Sequence, residues 1–255
     1  MNNASFDGTS MSVKKEFAKV KLITLKKNTG VTGGRNAGID NASKSSEYLL
    51  FFDHDMVADK KMIENLVKVA EMNSSYGIVT PKIYYFEDRK RIWAAGTNIN
   101  LWTGQILFRG GKDVGQFNTI DEVQVAPAAF LVKREVINIL KKFDNRYFIT
   151  YEDTDFCFRA RKHDFKTIYA PTAIAFHKIS PHLDDEQKRL LSRSFWIGKN
   201  RVLFMRDFGK NYLFFLIFSI VYLFYFIKLS MDQKNFQGLF DYLKGFTTGV
   251  STSRI

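Results

Sequence analysis

An open α/β sheet is the fold predicted for residues 1–205 of this chain, and three features predict it. Tyr48 to Phe52 is an apolar run without alternation, the pattern of a strand buried on both faces of a parallel sheet. The run stops at Asp53-His54-Asp55, and open α/β sheets hold their ligands beyond the carboxyl ends of strands. Asn28 to Ile39 (NTGVTGGRNAGI) supplies a glycine-rich turn that opens into a helix.

The elements follow in order. Asn2 to Ser10 is a cluster of turn formers, Ser12 to Lys19 reads as a short helix, and Val20 to Leu25 alternates weakly as a strand would. Behind the central strand, Lys60 to Asn73 is a helix whose stripe of Met62, Ile63, Leu66, Val67, Val69 and Ala70 faces a core. Tyr76 to Tyr85 is a strand in which Pro81 marks an edge or a bend. Arg89 to Val123 loosens into glycine-punctuated hairpins, an excursion over the sheet edge where a second substrate has room to dock. Val123 to Val132 is a strand containing Pro127, and Lys133 to Leu140 is a helix. Tyr151-Glu152-Asp153 precedes a short helix whose first turn collects Asp153 and Asp155, where the helix dipole favours acids. Lys166 to Ile174 is the last strand and leads to Phe176-His177.

Composition narrows the class. A 45% hydrophobic and 25% charged chain of 255 residues buries a sizeable core. The single cysteine, Cys157, excludes an internal disulfide and fits a reducing compartment. Met1 to Ser12 is polar and offers no apolar region of a secretory leader. The net charge of +12 is concentrated: Lys188 to Lys210 holds seven bases against one acid, Asp207. Tyr212 to Ile227 follows, apolar apart from Ser219, and spans roughly 24 Å as a helix against a hydrocarbon core of roughly 30 Å. It reads as a spanning, re-entrant or interfacial segment, with a buried soluble helix as the alternative. A second stretch places Phe236, Leu239, Phe240, Leu243 and Phe246 at the spacing of an interfacial helix. The expectation is a membrane-associated tail over residues 206–255 on the cytoplasmic face, with membrane lipid as a partner. No recognised nucleic-acid module accompanies the charge, so no nucleic-acid partner is expected.

Asp-x-Asp at a strand end lets one carboxylate reach a divalent cation while the other meets a hydroxyl or water, and hard oxygen ligands favour Mg²⁺ or Mn²⁺. A solvated acidic turn is the plainer reading of the same residues. The glycine-rich turn exposes backbone N–H groups suited to phosphate, beside the fixed charge of Arg35, or simply allows close helix packing.

The order of motifs resembles the family 2 glycosyltransferases of the GT-A fold, closest to the membrane-associated, rhamnosyltransferase-like group. The matching segments are NNASFDGTS at 2–10, NTGVTGGRNAGI at 28–39, FFDHDM at 51–56, VAPAAFLVKREVI at 125–137, FDNRYFITYEDTDFCFRARKHDF at 143–165 and APTAIAFHK at 170–178. The resemblance implies a Rossmann-like mixed sheet flanked by helices. It also implies inverting transfer of a sugar from a nucleotide diphosphate donor to a glycan or lipid-linked acceptor. Gly33, Gly34, Arg35, Asn36 and Asp53 would line the donor pocket, and Asp55 and His177 would hold the metal. Asp153 would be the general base, oriented by Glu152. Lys199-Asn200-Arg201 resembles a family Arg-Asn-Arg segment. Family members open with a strand and helix, about 35–40 residues with loops, ahead of the Asn2–Ser10 equivalent. That unit is expected to be missing, and Asn2 stands where an acid usually contacts the base. A catalytically silent binding homologue and a sugar nucleotidyltransferase are the rival expectations.

Overall fold

A computed structural model describes residues 1–253. The strands are β1 (Tyr48–Phe52), β2 (Met56–Ala58), β3 (Tyr76–Tyr85), β4 (Arg91–Ala94), β5 (Thr97–Ile99), β6 (Ile106–Phe108), β7 (Gly111–Lys112), β8 (Asp121–Val123), β9 (Ala129–Lys133) and β10 (Lys166–His177). The helices are α1 (Thr9–Glu16), α2 (Gly30–Asn41), α3 (Met62–Glu71), α4 (Arg134–Leu140), α5 (Glu152–Arg161), α6 (Leu183–Ser192), α7 (Ser194–Phe208), α8 (Tyr212–Asp232) and α9 (Phe236–Ser251). An open mixed sheet runs β1-β9-β3-β10-β2, with β4, β7 and β8 attached and β5-β6 forming a separate hairpin. Helices cover both faces, as the resemblance implies. The stripe of α3 (Met62, Leu66, Val69, Ala70) closes one face over Val79, Leu131 and Ala175. Phe143, Phe156 and Cys157 close the other over Phe51, Ile78 and Phe130.

Several expectations change. Tyr48–Phe52 is not a doubly buried parallel strand. It pairs only with β9, antiparallel, at the edge of the described sheet, and its residues alternate between half-buried and buried. The strand buried over most of its length is β3, parallel to β10 and antiparallel to β9. Pro81 lies opposite Ala170 where the β3–β10 register shifts, so it marks a bend rather than an edge. Val123 to Val132 is two strands, because Pro127 has no N–H to give a ladder and Ala128 turns to φ 59°. Val20 to Leu25 forms only a parallel bridge between Asn2 and Thr24, as Val20 has no core to cover it. The first helix begins at Thr9 rather than Ser12.

The basic and apolar stretches fold back onto the domain. Helix α7 runs unbroken through residue 205, and α9 lies against it through glycines. A Cβ on Gly245 would sit 2.0 Å from the Phe195 carbonyl oxygen, and one on Gly198 would sit 2.5 Å from that of Tyr242. Arg201 is buried, with its guanidinium 3.8 Å from the Tyr222 ring centre and 4.9 Å from that of Phe215, both on α8. Lys199 donates to the Arg146 carbonyl and Arg206 to that of Thr252. The seven bases therefore do not form one lipid-facing patch.

Candidate functional site

Three strand and helix ends converge beyond the carboxyl ends of β1 and β10. At the first, Asp53 closes β1. Arg35 rises from α2 and ion-pairs with both Asp53 (3.1 Å) and Glu152 at the head of α5 (3.1 Å). Its guanidinium lies 5.2 Å from the ring centre of Phe130 and 5.5 Å from that of Phe143. Burial opposes its charge, but Glu152 and Asp53 outweigh that and hold its pKa above the ordinary value. Arg35 is thus a clasp between two acidic segments rather than a free arm.

Glu152 meets Arg35 through Oε1, while Oε2 is buried without a partner. Burial pushes its pKa up to about 7, Asp153 adds to the rise, and Arg35 opposes it. Burial also raises the pKa of Asp153 against Arg35 and the Thr154 N–H. Thr154 donates from N (2.7 Å) and Oγ1 (3.2 Å) to Oδ1 of Asp153, so Oδ2 takes no hydrogen bond among the described residues. The backbone presenting this pair is unusual. Thr150 and Tyr151 are consecutive left-handed residues, at φ 66° and 65°, and neither is glycine. Asn200 holds them: its amide donates to the carbonyls of Ile149 and Thr150, each at 2.9 Å. That role for the middle residue of Lys199-Asn200-Arg201 could not be read from the chain, because its partners lie fifty residues away.

The second group is Asp55 with His177, the last residue of β10. Their Oδ2 and Nε2 are 3.2 Å apart, and the hydrogen bond from His177 pulls the Asp55 pKa down. Nδ1 of His177 is buried without a partner, and Trp93 meets the ring edge-to-face at 4.4 Å. Once Nε2 gives up the proton it donates, the two would present an imidazole nitrogen and a carboxylate oxygen side by side, a donor pair that fits Mg²⁺ or Mn²⁺. No cluster of three such ligands occurs among the described residues. Substrate oxygens and water would have to complete the shell, as is usual for Mg²⁺.

The glycine-rich turn shows the close packing that was the second of its two readings. Thr29 N–H donates to Asn3 Oδ1, Gly30 N–H to Asn28 Oδ1 and Val31 N–H to the Phe148 carbonyl, so these first donors are already taken by the protein. Gly30 is required here, since it sits at φ 71° and a Cβ would come within 2.2 Å of the Phe148 oxygen. Gly33 and Gly34 lie inside α2, and Asn36 is buried with its amide bonded to Phe143 and Asn145. Asn36 therefore braces the loop before α5. One further cation, Arg193 at the break between α6 and α7, lies within electrostatic reach of the site's acids. Burial and Arg189 lower its pKa, against the nearby carboxylates of Glu152, Asp55 and Asp53.

An open mixed sheet with Asp-x-Asp beyond one strand and a tethered Glu-Asp pair facing it defines a GT-A fold. The glycosyl transferase family 2 model matches residues 1–140, and the chain belongs to that family. A dTDP-rhamnosyl transferase, RfbF, of Shigella flexneri is 23% identical over 183 residues, covering 67% of this chain. The chain spans 57% of the length of that relative. Among solved structures, the mannosyltransferase PcManGT of Pyrobaculum calidifontis, in complex with GDP-Man and Mn²⁺, superposes with a TM-score of 0.56 at 13% identity. That match covers 99% of this chain and 65% of the other. GalNAc-T7 with UDP, GalNAc and Mn²⁺ gives 0.54 at 14% identity over 77% of this chain and 42% of the other.

Proposed function

We propose that the protein is an inverting glycosyltransferase that uses a nucleotide diphosphate-sugar donor and a divalent metal, and that it acts on a glycan or lipid-linked acceptor at a membrane. The carrying observation is the Arg35 clasp, which sets the donor-side Asp53 and the acid pair Glu152-Asp153 in one site although the chain separates them by about a hundred residues. In an in-line displacement the acceptor hydroxyl must lose a proton as it attacks the anomeric carbon. Asp153 has the free Oδ2 for that proton, and Glu152 keeps it oriented through Arg35. Asp55 and His177 would hold Mg²⁺ or Mn²⁺, which when bound would supply positive charge against the donor diphosphate. Arg193 adds a second positive charge on the leaving-group side. Gly33, Gly34, Asn36 and Arg35 shape the donor side from α2, Asn36 by bracing rather than touching. Residues 1–205 would carry the chemistry and 206–255 the membrane contact; the names of the relatives support only the transfer from a nucleotide-sugar donor.

The test is calorimetric titration of the full chain with dTDP-rhamnose, UDP-GalNAc and GDP-mannose, with and without MnCl₂. At least one donor should bind more tightly with the metal, and Asp55→Ala should abolish that increment. Metal-independent donor affinity in the parent protein would sink the metal assignment. Donor binding without release of nucleoside diphosphate would favour a silent binding homologue, and release of pyrophosphate from a nucleoside triphosphate supplied with a sugar 1-phosphate would favour a nucleotidyltransferase.

A further inference from the structure

A half-open cavity of about 200 Å³ lies on the far side of His177, lined by Tyr85, Arg91, Ile92, Trp93, Phe108, Gly110, Gly111 and Glu186. None of these residues belongs to α2, β1 or the Asp53–Asp55 turn, so the cavity is not the nucleotide pocket. Its link to the site is Trp93, whose ring packs on His177, which in turn meets Asp55. Resting on the glycosyltransferase reading, we propose that this cavity is the subsite for an uncharged sugar ring of the acceptor.

The lining chemistry selects that ligand. Trp93 offers an aromatic surface, which suits the apolar C–H face of a pyranose, and Phe108 stands exposed beside it, while the buried Tyr85 adds a hydroxyl. Around them are one cation, one anion and one hydroxyl, which together carry no net charge. Arg91 lies 5.3 Å over the Tyr85 ring and spends one N–H on the Pro181 carbonyl, leaving others to donate. Glu186 makes no ion pair or side-chain hydrogen bond among the described residues, so its carboxylate is open to sugar hydroxyls. A phosphate would meet Glu186 as a like charge, and a lipid tail would leave three polar groups unpaired. The volume is below the 300–1,000 Å³ range of drug-sized pockets, about right for one ring. Gly110 lets this wall of the cavity lie close against β4, because a Cβ there would come within 2.9 Å of the Ile92 and Trp93 carbonyl oxygens.

Saturation-transfer NMR on the full chain tests this, with methyl glycosides of rhamnose, glucose and N-acetylglucosamine as probes. At least one should bind, and Glu186→Gln and Tyr85→Phe should each weaken it, the former by about tenfold for a lost charge-assisted hydrogen bond. Both variants should bind the donor with Mn²⁺ as the parent does, which also shows that they fold. Absence of any glycoside signal from the folded parent overturns the proposal, as does binding unaffected by both substitutions. Displacement by an intact nucleotide sugar but not by its nucleoside diphosphate would assign the cavity to the donor sugar and overturn the acceptor role. Glycoside binding through these residues, with no nucleoside diphosphate released from any donor, would instead remove the transferase reading and leave a saccharide site.

Discussion

The two acids at the head of α5 occupy different surroundings despite being adjacent. Glu152 is clamped by Arg35 on one oxygen and stranded on the other, whereas Asp153 is held on one oxygen by Thr154 and free on the other. Burial raises both pKa values, so each acid stays protonated to a higher pH than it would in water. A base must be ionised to act, so kcat/KM should rise along an acid limb lying above the ordinary aspartate range. Two adjacent carboxyls titrate as a pair, and that limb belongs to both. Glu152→Gln should move it to lower pH, because a neighbouring negative charge is gone and Arg35 acts on Asp153 undivided. A pH–rate series on parent and variant decides this, and a limb that rises in Glu152→Gln would remove Asp153 from the role of base. Asp153→Asn keeps the shape but takes no proton, so turnover should fall about 10²-fold or more while donor affinity holds. A variant that turns over normally but melts early would mark Asp153 as a helix-start residue.

Among the elements, the α7–α9 contact is the tightest join between the domain and its tail. Gly198, Gly245 and Gly249 let the two backbones approach, and no side chain fits where Gly245 faces the Phe195 carbonyl. Gly245→Ala should therefore cost about 1–3 kcal/mol by overpacking, read as a melting point several degrees lower. An unchanged melting curve would show that the helices separate freely. The chain shows this contact only in part, since small residues at helical spacing are visible but their facing helix is not. The same limit governs the rest. Helices α3, α4 and α8 were legible because an apolar stripe or run is a local pattern, and Asp53 and Asp55 because they end such a run. What escaped depends on distant partners: β1 meets residues 129–133 rather than parallel neighbours, and Arg35 reaches a carboxylate 117 positions away. Arg91 and Glu186 line one cavity only because β4 and α6 fold beside the end of β10. Of the two readings of the glycine-rich turn the structure shows the close packing, and nearby Asn3 and Asn28 side chains take the first of its N–H donors.

At the scale of the whole molecule, one described helix, α8, is long and apolar enough to cross a membrane by length and composition. Its 21 residues extend about 32 Å, longer than the apolar run alone and comparable to a hydrocarbon core. Phe215, Ser219 and Phe226 turn inward, while Leu213, Ile217, Val221 and Phe224 are each more than half exposed. Exposed Trp102 meets Phe214 edge-to-face at 5.8 Å, and so joins the β5–β6 hairpin to this face. An apolar surface of this extent on a chain of +12 suits a lipid bilayer better than water. The electrostatic share should be modest, because Arg201 is buried and Lys199 and Arg206 are turned inward, whereas seven surface bases would each have added roughly 1 kcal/mol. High salt should therefore leave the protein on anionic liposomes, and detergent should release it. Removing residues 211–255 is a poor control, since it would uncover Val202, Leu203 and Phe204 in the core shared with Phe215. The sharper variant is Ile217→Lys with Phe224→Lys, which places two charges on the exposed face and none in the core. It should leave donor affinity unchanged and shift the protein from the liposome pellet to the supernatant. Parent protein that stays monomeric without detergent and ignores liposomes would show that the exposed face of α8 serves something other than a membrane.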